Sequence, residues 1–143
     1  NDESAGNIIL KGVNTVEVKR PTKKGKYVNA DRTFRHLVEI NIKDNRYRVI
    51  YRVLGIDSSE SYWDVYVDFI DLNGFDENMA ELYIEKMSSV SPYNYKPNDK
   101  KYNSIIEETI DEYNQVIDGL NNFASSLMTS IDNSVTSFKT EEW

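Results

Sequence analysis

The chain has 143 residues, 39% hydrophobic and 29% charged, with 24 acidic side chains against 17 basic ones, a net charge of −7 and no cysteine. That length suits one domain with room for a sizeable core. The lack of thiols excludes disulfides, cysteine nucleophiles and thiolate metal sites, no apolar run approaches the ~20 residues of a bilayer-crossing helix, and a pI of about 4.8 argues against a dedicated nucleic-acid binder.

The chain opens at Asn1 rather than Met. We therefore expect a piece ahead of it to have been removed, such as a signal peptide, a lipidated cysteine or a membrane anchor, and the residues leave that choice open. Residues 1–7 read as a flexible tether, and residues 8–143 as one α+β domain. Ile8 to Leu10 and Val13 to Lys19 suggest a first strand, or a strand pair broken near Gly12, with Val16 and Val18 pointing inward. Arg20-Pro21 should end it, because proline offers the ladder no donor. From there to Phe34 runs a loop rich in Lys, Gly and Asn, long enough to need a reason.

Residues 37–70 read as a three-stranded antiparallel meander, the centre of a sheet of about four strands packed against C-terminal helices. In the first strand Val38, Ile40 and Ile42 alternate with Glu39, Asn41 and Lys43, the period of a half-buried strand. In the second, Tyr47, Val49, Tyr51 and Val53 alternate with Arg46, Arg48 and Arg52, Ile50 being the apolar exception. Asp44-Asn45 between them supplies a tight turn, since both residues tolerate positive φ. A third strand, Tyr62 to Ile70, is expected to set Trp63, Val65, Val67 and Phe69 inward, with Asp64 and Asp68 meeting Arg48 and Arg52 across the ladder.

Asp71-Leu72-Asn73-Gly74 then predicts a turn, and Asp76 and Glu77 a helix start favoured by the helix dipole. That helix, to about Ser89, should bury Met79, Leu82, Tyr83 and Met87, with Ile84 at the edge of the stripe. Residues 91–98, with two prolines, form an irregular link. Residues 101–138 read as helix almost throughout, because Ile106, Ile110, Tyr113, Ile117, Leu120, Ala124, Leu127, Ile131, Ser134 and Phe138 fall at alternating steps of four and three. The stripe keeps its phase across Gly119, which favours one continuous or gently bent helix. If straight, it overhangs the sheet and offers a surface for a homodimer.

Charge is the most distinctive signal. Residues 1–54 carry twelve Lys/Arg against six Asp/Glu, a net of +6; residues 55–143 carry five against eighteen, a net of −13. Seven of the bases, Lys19, Arg20, Lys23, Lys24, Lys26, Arg32 and Arg35, lie in one stretch opposed only by Asp31. Two accounts follow: the halves attract one another within the chain, or the stretch is a basic finger for a protein partner or an anionic surface.

Other chemistry is sparse. His36 is the single histidine, at a strand start with no Ser or Cys partner suggested by spacing. Asp71 to Asp76 looks like the middle of a calcium loop, but the flanking ligand positions are Phe69 and Ala80, so a turn is the better account. No phosphate-cradling loop or metal-ligand spacing is present, and no cofactor is expected. The segment Asn45-Arg46-Tyr47-Arg48-Val49-Ile50-Tyr51-Arg52-Val53 resembles the central strand of RelE/ParE-type toxins, which implies action on RNA or gyrase. The preferred expectation is a non-catalytic interaction domain, extracytoplasmic or tethered to the cell envelope, with the basic stretch as its contact surface.

Overall fold

The hairpin of residues 32–56 is the backbone on which the other elements are placed. In the computed structural model, which describes residues 6–22, 25–56, 62–90 and 99–142, β4 (Arg32–Lys43) and β5 (Arg46–Ile56) pair antiparallel with Lys43 opposite Arg46. Asp44 and Asn45 take φ of 52° and 61°, the doubly left-handed turn whose twist matches that of the flanking strands. Before them comes β1 (Gly6–Val16), which pairs with β4 over eleven consecutive positions and runs unbroken through Gly12. The sheet order is therefore β1-β4-β5.

The segment between β1 and β4 is a second, two-stranded ribbon of β2 (Lys19–Pro21) and β3 (Tyr27–Asn29). The first strand stops at Val16, short of the Lys19 expected, and Arg20 and Pro21 belong instead to β2, which ends at Pro21; the long loop has its reason, since it is a hairpin of its own. Its tip is closed by Thr22, whose N–H donates to the Lys26 carbonyl at 2.7 Å, and by Gly25 at a φ of 71°. The Ala30 N–H donates to the Val18 carbonyl at 2.7 Å, which extends the ribbon's pairing one step beyond Lys19 and Asn29.

Register assigns the faces. Ile8, Leu10, Gly12, Asn14 and Val16 share one face with Phe34, His36, Val38, Ile40 and Ile42, and with Tyr47, Val49, Tyr51 and Val53. This is the apolar face the alternation predicts. Only one end of it is well covered, however: Val16, Phe34 and Val38 are buried, whereas Ile8, Leu10 and Ile42 are exposed.

Residues 62–70 correct the expected meander. Tyr62–Asp68 is a helix, α1, with Val65 and Tyr66 buried, so Asp64 and Asp68 cannot form a ladder with Arg48 and Arg52. The α+β architecture stands, with an antiparallel sheet and a long C-terminal helix. The Asp71 carboxylate accepts from Asn73 N–H at 2.9 Å, which holds the following turn as an Asx turn. Asp76 accepts from Met79 N–H at 2.9 Å and so caps α2 (Glu77–Val90). The buried stripe of α2 is Ala80, Tyr83, Ile84 and Met87; Leu82, expected inside, is 57% exposed.

The last element, α3 (Asp99–Glu142), is one helix of 44 residues, about 66 Å at ~1.5 Å per residue. Gly119 does not break it. Its missing side chain lets the helix settle on Val16 of β1, which a Cβ there would strike. Four residues on, Phe123 meets the rings of His36 and Tyr51 at 5.0 and 5.6 Å, so the helix crosses from β1 toward β4 and β5. The core lies where α1, α2 and the Ile106 to Leu120 part of α3 close over this end of the sheet. Its centre is Tyr113, fully buried, stacked on Phe75 at 4.1 Å and donating its hydroxyl to the Tyr66 carbonyl at 2.8 Å. Residues 1–5 of the expected tether, the 91–98 link, and Lys23 and Lys24 lie outside the described residues.

Candidate functional site

The ribbon's basic residues meet the acidic face of α3, and a cleft of about 620 Å³ opens at that junction, within the range of small-molecule and peptide-anchor pockets. The ribbon is clamped first by Gln115. Its side-chain carbonyl accepts from Lys19 N–H at 2.8 Å and its amide donates to the Lys19 carbonyl at 2.9 Å. One side chain thus takes both backbone groups of the residue that starts β2. One helical turn earlier, Glu112 accepts from Arg20 Nε at 2.6 Å and from Arg32 Nη2 at 3.5 Å. Arg20 is half-exposed, whereas Arg32 and Glu112 are nearly buried.

Arg32 forms the floor. Its guanidinium lies 4.9 Å from the Trp63 ring centroid and 5.6 Å from that of Tyr66, within cation–π range. The aromatic box built by α1 is therefore already filled by a cation of this chain. The Arg32 Nε and the Tyr66 hydroxyl are buried without a hydrogen-bond partner among the described residues. Burial, and next the charge of Glu112, push the Tyr66 phenol far above its ordinary range, so it stays a neutral hydroxyl at any working pH. Tyr62, Met87 and Ile105 supply apolar wall, while Glu108 and Asp111 add acidic groups along α3. These walls offer recognition: apolar contact, paired guanidinium groups and a carboxylate that holds them in place.

The seven predicted basic residues separate into groups. Lys19, Arg20 and Arg32 line the cleft. Lys26 is exposed at the tip of the ribbon. Arg35 faces away, on the opposite side of β4, where its guanidinium lies over Gly55. Two of the seven are thus engaged by Glu112 within the chain. Sequence reasoning missed Glu112, Gln115, Trp63 and Tyr66. The first two stand three apart on the polar face of a helix; the charge split between the halves was the only sign of Glu112's role, and no signal marked Gln115.

His36 is not part of this site. It is buried under α3, with Nδ1 2.9 Å from the Asn14 side-chain oxygen and rings from Tyr51 and Phe123 about it. The Tyr51 hydroxyl donates to the same Asn14 oxygen at 3.2 Å. Burial lowers the His36 pKa, because it favours the neutral ring over the charged one. Among the described residues no group of His, Asp or Glu is arranged to hold a metal ion, and no helix is long and apolar enough to cross a membrane. The segment Asn45 to Val53 runs from the turn into β5, an edge strand of this sheet rather than a central one. No family model, curated protein or solved structure matches the chain.

Proposed function

We propose that this chain is a non-catalytic interaction domain whose contact surface is the β2–β3 ribbon and the rim of the cleft it borders, directed at a protein partner or other surface bearing negative charge. One observation carries the reading. The ribbon is clamped at its base by Gln115 and Glu112, yet presents Lys19, Arg20, Lys26, Tyr27 and Val28 to solvent, Tyr27 being 68% exposed. A free basic loop needs no such anchoring. A surface that pays its ordering entropy during folding loses less on binding, and exposed aromatics beside cations are suited to an interface anchor. The cysteine-free composition suits an extracytoplasmic or envelope-tethered setting, and α3 beyond Leu120, where no described side chain is fully buried, offers a further face to a partner. The RelE/ParE-type reading gains nothing from the position of β5.

The test is retention on an anionic matrix and on vesicles containing phosphatidylserine at low salt. The native chain should bind, and should elute as salt approaches about 0.5 M, where screening shortens to ~4 Å. Lys26→Gln combined with Tyr27→Ala should weaken retention with the melting temperature unchanged. A native chain that passes through at low salt overturns the anionic-partner reading.

A further inference from the structure

The two edges of the main sheet are treated very differently. β5 carries Arg46, Arg48 and Arg52, and α1 contacts it. A run of charged side chains is a standard defence against edge-to-edge pairing. β1 has no such run of charge. It runs eleven residues in unbroken register with β4, contains no proline, and bears one charge, Lys11. Among the described residues β4 is its only strand neighbour. Its apolar side chains stand out on both faces: Ile8, Ile9, Leu10 and Val13 are 45%, 54%, 51% and 64% exposed. Since α3 leaves β1 at Val16 and crosses toward β4 and β5, the half of β1 holding Ile8 and Leu10 stays exposed on the helix side among the described residues.

We infer that β1 is a self-association edge, at which a second copy of the chain adds its own β1 antiparallel and joins two three-stranded sheets into one of six. The occupant follows from the strand's own pattern. With Leu10 on the two-fold axis, Leu10 meets Leu10 of the partner, Ile8 meets Gly12, Ile9 meets Lys11, Asn7 meets Val13 and Gly6 meets Asn14. No like charges fall opposite one another, and each Lys11 stem lies along an isoleucine with its ammonium in water. Nine residues pair over about 30 Å at ~3.4 Å per residue. The helix-side pairs bring Ile8 and Leu10 of both copies together, while Ile9 and Val13 continue across the outer face. Such a contact is isologous and closes at two copies, whereas β1 pairing with the arginine-rich β5 of a neighbour would propagate without closing.

The experiment uses the full chain in sedimentation and light scattering across a concentration series. A monomer–dimer equilibrium is expected. Ile9→Lys with Val13→Lys, both at exposed outer-face positions, should raise the dimer Kd by about a hundredfold or more, because Lys at position 9 falls opposite Lys11 of the partner. Leu54→Lys, exposed on the same face but in β5, should change nothing. The chain has no cysteine, so Leu10→Cys should give a disulfide-linked dimer on mild oxidation and Ser130→Cys on α3 should not. A native chain monomeric into the sub-millimolar range overturns the inference. So do a dimer indifferent to the lysine pair, cross-linking through Ser130→Cys alone, and growth into larger polymers.

Discussion

Gly119 of α3 stands directly over Val16 of β1, so close that a Cβ at position 119 would overlap the Val16 Cγ1. Alanine is the better helix former by about 1 kcal/mol, which in isolation predicts that Gly119→Ala stabilises. The collision should win, because Val16 is itself buried and cannot swing away without disturbing Phe34 and its neighbours. We predict a net loss of about 1–3 kcal/mol in denaturant unfolding. Adding Val16→Ala should cost less in the Gly119→Ala background than in the native chain, and strict additivity would show that the two side chains do not compete for space.

The second prediction separates the two arginines of Glu112. Arg20 is half-exposed, so Arg20→Ala should cost no more than about 1 kcal/mol. Glu112→Gln leaves the nearly buried Arg32 without its counter-charge, and should cost about 2–4 kcal/mol. Equal losses in a urea melt would mean that the stability lies in the ribbon contact rather than at the cleft floor.

A third prediction concerns His36, whose pKa burial lowers from 6.5. As pH falls through about 6.5 the unfolded chain takes up this proton before the folded one does. The resulting penalty is absent above that pH and grows below it until the folded pKa is passed. The imidazole signal of this single histidine should titrate in NMR with a midpoint below 6.5. Melting temperature should also fall more steeply between pH 7 and pH 5 in the native chain than in His36→Gln. A midpoint at or above 6.5 would contradict the buried placement under Phe123.

How far the sequence was legible depended on whether its period was unique. The alternation of residues 36–54 fits only strands, and Asp44-Asn45 fits only the turn that joins them. Residues 62–69 fit both periods: Trp63, Val65, Val67 and Phe69 alternate, while Tyr62, Val65, Tyr66 and Phe69 fall at helical spacing. Their β-branched and aromatic content tilts a local reading toward strand. Packing decided otherwise, placing Tyr66 4.7 Å from Tyr113 and 6.2 Å from Tyr83. In α2, small Ala80 allows close approach and turns Ile84 rather than Leu82 to the core. The cleft was legible only as a charge imbalance, because Lys19 and Gln115 are 96 residues apart in sequence and Arg20 and Glu112 are 92 apart. No local period encodes such a meeting.

That helical rotation gives a fourth prediction. Leu82→Glu should stay within about 0.5 kcal/mol of the native chain, whereas Ile84→Ala should cost about 2–4 kcal/mol. Thermal melts of the two variants would reverse this order if the stripe expected from spacing were the buried one.

The last prediction concerns the length of α3. Its buried side chains, Ile106, Tyr113, Val116, Ile117 and Leu120, end at Leu120, while Leu127, Met128, Ile131 and Val135 are only partly covered. Amide protection follows local burial and cooperative packing rather than helicity alone. Exchange should therefore be slowest from Ile106 to Leu120 and at least about tenfold faster from Leu127 to Val135, which corresponds to ~1.4 kcal/mol or more of difference in opening free energy. Leu120→Ala should cost about 2–5 kcal/mol, while Ile131→Glu should cost under about 1 kcal/mol in the monomer. Uniform protection along the helix that fades on dilution would instead place a second copy on α3. A severe loss from Ile131→Glu at high dilution would mean that this half of the helix is packed on its own sheet.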